Sequence, residues 1–153
     1  MPQRSSRTTD PTSAPYAWED HVERDGERVA ENDLDACLQE GCRTQADYDM
    51  CVAEVEVRKR RAAAGKLHPP DELKPVRTEP LLWEVRWDFD GRLLRLYHAE
   101  PRKAPKTLLA LLYHWKRDQG TPTEIDDAQE AEMVRAGDRY RRSDLHPGPG
   151  ESD

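Results

Sequence analysis

Residues 82–98 read LWEVRWDFDGRLLRLYH. Trp83, Val85, Trp87 and Phe89 alternate with Glu84, Arg86 and Asp88, the period of two that a half-buried strand requires. Asp90-Gly91 follows, the dipeptide favoured in a two-residue type I′ hairpin because both central residues take a positive φ. The return strand is 92–98. That turn fixes the register, and parity then assigns side chains to faces. Trp83 faces His98, Val85 faces Leu96 and Trp87 faces Leu94, which makes this the core face. On the other face Glu84 meets Tyr97, Arg86 meets Arg95 and Asp88 meets Leu93.

Two arginines directly opposite repel, by roughly 0.2–1 kcal/mol, so something must compensate. Glu84 and Asp88 lie diagonally near the pair and could neutralise it as an ordinary charged ladder. Alternatively Arg86 and Arg95 form a fork for an anion such as phosphate, with Tyr97 beside them as donor or acid. The residue pattern leaves both readings open.

Outward from the hairpin, AEPRKAPK (99–106) is a loop rich in Pro and base, and 107–115 is an apolar run long enough for a strand buried on both faces. Tyr113, His114, Trp115, Lys116 and Arg117 then place aromatic, titratable and cationic groups where that strand runs into a loop, a common position for functional residues. His114 also suits a packed core position, and Lys116-Arg117 also suits solvated surface. Thr121-Pro122-Thr123-Glu124 is a capping box with Pro at the first helical position, predicting a helix over 122–140.

Upstream, Tyr48, Cys51, Val52 and Val55 recur at helical spacing from about residue 45, and Leu34, Cys37 and Leu38 mark a helix over 29–40 that Gly41 stops. Arg58, Lys59, Arg60 and Arg61 fall in the last third of the second helix, where cations suit its dipole and read as a solvated end. Residues 16–22 are a weak first strand. The order predicts an α+β fold: a small, mainly antiparallel sheet with an N-terminal helical hairpin and a C-terminal helix. Residues 1–15, rich in Ser, Thr and Pro, read as a disordered tail, 16–142 as the domain and 143–153 as a flexible tail.

The whole chain carries a net charge of −7 with only 35% hydrophobic residues. No run approaches the roughly 20 apolar residues of a membrane span, and no secretory signal opens the chain, so a soluble, cytoplasmic protein with no membrane partner is expected. The acidic total argues against a nucleic-acid partner only until it is partitioned. Residues 51–119 hold 15 basic against 10 acidic residues, and the two ends hold 9 against 21. The basic centre can still present a positive local field to a phosphate chain. Cys37, Cys42 and Cys51 form no Cys-x-x-Cys pair and signal neither a disulfide framework nor a metal site.

The run ELKPVRTEPLLWEVRWDFDGRLLRLYHAE, followed by LLYHWKRDQGTPTEI, resembles the HigB-like branch of the RelE/ParE toxin superfamily. The matching positions are Lys74, Pro75, Val76, Arg77, Leu82, Glu84, Arg86, Gly91, Arg95, Lys116, Gln119, Thr121 and Pro122. The resemblance implies a RelE-like fold and a toxin of a type II toxin-antitoxin system: a metal-independent, cofactor-free endoribonuclease, or mRNA interferase. Messenger RNA, the ribosome and a HigA-like helix-turn-helix antitoxin are its implied partners. It carries Arg86, Arg95 and Lys116 forward as catalytic or substrate-contacting candidates. Lys74, Arg77, Arg92 and Arg117 are the further RNA-binding candidates. Gly120 stands where many members have a second Lys, and Leu112 where they have a His or small polar residue, with His114 and Arg117 close by as substitutes.

Metal-free RNA cleavage needs a base for the 2′-OH proton, cations for the charged phosphorane and an acid for the departing 5′-oxygen. Arg86 and Arg95 are assigned to the phosphate, Lys116 or His114 to the base or a further stabilising group, and Tyr97 to the acid. Two alternatives share the fold: a ParE-like toxin that binds a protein target such as gyrase and cleaves nothing, and an inactive relic.

Overall fold

The computed structural model describes residues 4–148. Two single-turn 3₁₀ helices, Arg7–Thr9 and Pro11–Ser13, precede β1 (Ala17–Asp20), α1 (Val29–Gly41), α2 (Gln45–Ala63), β2 (Leu73–Pro75), β3 (Leu82–Phe89), β4 (Arg92–Ala99), β5 (Thr107–Trp115) and α3 (Pro122–Arg142). The strands form one mixed sheet in the order β1-β5-β4-β3-β2, antiparallel except where β1 runs parallel to β5. The fold is α+β, and no helix among the described residues is long and apolar enough to cross a membrane.

Local chemistry sets the elements. Asp90 and Gly91 take φ of 53° and 88°, and the Asp88 carboxylate accepts the Gly91 N–H at 2.7 Å, so the type I′ turn forms and every β3–β4 pair falls in the expected register. Thr121 caps α3 by accepting the Glu124 N–H at 3.2 Å, and Thr44 caps α2 through the Asp47 N–H at 3.1 Å.

Both faces of the sheet are covered. Trp83, Val85, Trp87, Leu94 and Leu96 pack with Cys37 and Val55 on the side of α1 and α2, whereas Leu82, Tyr97, Leu109, Leu111 and Leu112 pack with Met133, Ala136 and Tyr140 of α3. A bulge opposite Tyr97 and His98 shifts the register of β5 and turns both Leu111 and Leu112 toward α3. The helical hairpin is less distinct than expected, because α1 packs chiefly on β5 and meets α2 sparsely.

Three features depart from the sequence expectation. The three-residue β2 pairs with β3 from Leu73 opposite Val85 to Pro75 opposite Trp83; it is too short for alternation to reveal. The disordered tail assigned to 1–15 is corrected for residues 4–15, which are packed, with Ser6 and Thr8 buried. Arg7 donates to the carbonyls of Pro101, Ala104 and Thr107 at 2.8–3.1 Å, its backbone N–H donates to Glu100 at 2.7 Å, and Leu67 N–H donates to Thr8 O at 2.9 Å. Polar pairing orders this segment, a route that low hydrophobicity does not report. The flexible tail assigned to 143–153 is likewise corrected at its start: Leu145 joins the α3 core and His146 meets the Tyr140 ring edge-on at 4.8 Å. Residues 1–3 and 149–153 lie outside the described residues.

Candidate functional site

The register lines up Arg86 of β3, Arg95 of β4 and His114 of β5 in one row across the sheet, on the face toward α3. The neighbouring row is Lys74, Glu84, Tyr97 and Leu112. On the other side of the first row Lys116 continues past β5, its N–H donating to Leu93 O at 2.7 Å. Arg86, Arg95, Tyr97 and His114 therefore share one sheet face, with Lys116 just past the end of β5.

Burial divides them. Arg95 is 2% exposed and Tyr97 0%, while Arg86, His114 and Lys116 are half-buried. Arg95 Nε lies 2.9 Å from Glu84 Oε1 in a buried ion pair, and Gln129 of α3 donates to the same Glu84 oxygen at 3.3 Å. Tyr97 is thus sealed from bulk water, whereas Arg95, almost wholly buried, only borders a groove open to solvent. Burial lowers the Arg95 guanidinium from its ordinary range, an effect that Glu84 offsets in part.

His114 and Tyr97 form a couple. The imidazole stacks on the phenol ring with centroids 5.2 Å apart, Nδ1 lies 3.1 Å from Trp115 O and Nε2 lies 2.9 Å from Tyr97 Oη. A carbonyl only accepts, so in the neutral ring Nδ1 carries the hydrogen and Nε2 accepts from the phenol. Burial, with Arg95 and Arg135 acting in the same direction, pulls His114 down to about 4. Burial, reinforced by Glu84, raises the Tyr97 phenol.

The RNA-binding candidates are scattered. Lys74 and Arg77 are exposed, and Arg77 pairs with Glu130 of α3 at 3.2 Å. Arg117 donates to Gln119 O at 2.8 Å and lies 3.4 Å from Glu124. Arg92 belongs to the opposite face: its guanidinium sits 4.3 Å over the Trp115 ring and donates to Gly41 O at 2.5 Å. That contact explains the glycine, since a Cβ at position 41 would come within 2.6 Å of the Trp115 ring. Sequence reasoning missed Arg58 and Glu72. They line an open groove of about 390 Å3 with Arg86, Trp87, Leu93 and Arg95. Its only signal was the basic run 58–61, which reads equally well as a helix end.

Cys37 is buried and its thiol is pushed up to about 12, first by burial, while burial also raises Cys51 to about 11. Among the described residues no group of three or more His, Cys, Asp or Glu side chains is placed to hold a metal ion.

Fold and site together define a small α+β domain with a cationic row and a His–Tyr couple on a helix-covered sheet face. No family model, curated protein or solved structure matches the chain.

Proposed function

We propose that the chain is a HigB-like toxin of a type II toxin-antitoxin system: a metal-independent endoribonuclease that cleaves messenger RNA on the ribosome and is restrained by a HigA-like helix-turn-helix antitoxin. The observation that carries this reading is the row Arg86–Arg95–His114 on one sheet face, with Tyr97 bonded to His114.

The 2′-oxygen attacks phosphorus and the P–O5′ bond breaks, leaving a 2′,3′-cyclic phosphate and a 5′-hydroxyl. Arg86 and Arg95 neutralise charge growing on the non-bridging oxygens. His114 starts neutral, but its Nε2 lone pair is held by the Tyr97 hydroxyl, so it takes the 2′-OH proton only once that bond is released, and Lys116 stands beside it as the alternative base or a further cation. A raised phenol keeps its proton at neutral pH, as an acid for the 5′-oxygen must. Substrate access to Tyr97 requires the start of α3 to move. Residues 122–132 bury no side chain fully, the first buried one being Met133, so this half of the helix is the weaker anchor.

A second reading has a specific observation behind it. Arg95 is engaged by Glu84 and Tyr97 is sealed, which suits a ParE-like toxin that binds a protein target and needs no acid or base. Purified chain added to a reconstituted translation mixture and to a gyrase supercoiling assay separates the two. Discrete message cuts that disappear in Arg86→Ala support the nuclease. Blocked supercoiling with intact message supports the binder, and inertness in both supports a relic.

A further inference from the structure

Six buried side-chain polar atoms among the described residues have no hydrogen-bond partner, and three of them are guanidinium nitrogens: Nε of Arg58, Arg86 and Arg95. All three arginines line the single groove of about 390 Å3 beside Trp87 and Leu93. Buried donors are nearly always satisfied. Arg95 Nε has the Glu84 carboxylate 2.9 Å away, so it is the unpartnered Nε atoms of Arg58 and Arg86, two arginines that line one groove, that point to a ligand that accepts from them.

Other donors of Arg58 and Arg86 bind the protein, while their Nε atoms are left without a partner. Arg58 arrives from α2; it donates through Nη1 to Arg86 O and pairs through Nη2 with Glu72 at 3.2 Å. Arg86 donates through Nη1 to Pro70 O at 3.2 Å and, among the described residues, forms no ion pair. Arg95 donates through Nη1 to Leu94 O at 3.2 Å, and its Nε, though 2.9 Å from Glu84, is not directed for a hydrogen bond.

The carboxylates on the rim are themselves occupied. Glu72 is shared between Arg58 and Arg61, and Asp88 accepts the Gly91 N–H; Asp71 is exposed. β2 pairs with β3 as far as Val85, with one more backbone bond from Arg86 N–H to Glu72 O at 3.0 Å. Beyond that point Arg58, and not a strand, covers the edge of β3.

We propose that this groove is a phosphate subsite for the RNA backbone, and that Arg58 is a substrate-binding residue contributed by α2. The identity of the ligand rests on the ribonuclease reading; the chemistry recognised is a tetrahedral phosphate, which free phosphate could also supply. The test is anisotropy of a labelled 2′-O-methyl RNA, which cannot be cleaved, on the full chain at low salt. Arg58→Ala and Arg86→Ala are each expected to weaken binding by about tenfold and to flatten the salt dependence by about one phosphate contact. Arg135→Ala, which removes an exposed cation on α3, should leave both unchanged. Arg58→Lys keeps a cation beside Glu72 and guards against misfolding. It should restore the salt dependence but only part of the affinity, because the planar fork is gone.

Wild-type affinity and salt slope in both Arg58 variants would overturn the subsite. Inorganic phosphate that protects the fold through Arg58 while no RNA binds would overturn the RNA assignment. RNA binding that needs Arg58 in a chain that never cuts message leaves the subsite standing and removes the nuclease reading. Cutting that is indifferent to Arg58 does the reverse.

Discussion

The two faces of this sheet are made by alternate residues of the same strands, yet they hold together differently. Toward α1 and α2, Trp83, Val85, Trp87, Leu94 and Leu96 form a mainly apolar core, joined by the buried His98 with its Glu100 partner at 2.9 Å, and its stability is chiefly the area removed from water. Toward α3, leucines share the layer with Glu84, Arg95, Tyr97 and His114, and stability depends on every polar atom keeping its partner. The contrast gives the α3 side the polar residues on which the proposed function rests.

The largest expected effect is Arg95→Ala. It strands Glu84 without its cation and should lower unfolding stability in urea by about 3–5 kcal/mol. The pair replacement Arg95→Met with Glu84→Leu should lose far less, because both charges leave together. If the double variant is as unstable as the single one, the polar face is not the weakly favourable network described. Leu96→Ala, the counterpart on the apolar face, should lose about 2–5 kcal/mol through transfer and cavity terms, and no second substitution nearby should rescue it.

The pH response separates the faces next. His114 sits at about 4 in the folded chain against roughly 6.5 unfolded. The unfolded state therefore binds the extra proton first. His114's contribution is complete above about pH 6.5 and is lost as pH falls toward 4, by about 2–3 kcal/mol over that window. His114→Phe should flatten the urea midpoint between pH 6.5 and 4, and an unchanged slope would contradict the burial argument. Smaller still is Arg7→Ala, which frees the N-terminal segment from the carbonyls of Pro101, Ala104 and Thr107. A loss of about 1–3 kcal/mol, with faster proteolysis before residue 15, is expected. Removing the exposed Arg77–Glu130 pair should leave the melting curve unchanged.

The hairpin was fully legible. Period-two alternation and Asp90-Gly91 fixed its register, and with it the Arg86–Arg95 pair. The C-terminal helix was equally legible from its capping box. What parity could not reveal is that α3 returns over the second face, since its apolar positions, Met133, Ala136 and Tyr140, say that it packs but not where. The same gap hid the fate of Arg95, expected at a polar face and found 2% exposed. Long-range polar contacts were the least visible: Arg7 with the loop before β5, and Arg58 with the backbone of Arg86. No local periodicity encodes a guanidinium that crosses from one element to another.

Mapping the chemical ends of cut messages after induced expression tests the central claim most directly, with wild type compared against Arg86→Ala. Arg86 is the half-buried member of the cationic row and has no ion pair among the described residues, so its loss should spare the fold. The account predicts discrete cuts bearing 5′-hydroxyl ends in wild type, reduced about a hundredfold or more in Arg86→Ala. Intact message, 5′-phosphate ends, or an Arg86→Ala chain that cuts as well as its parent would contradict it.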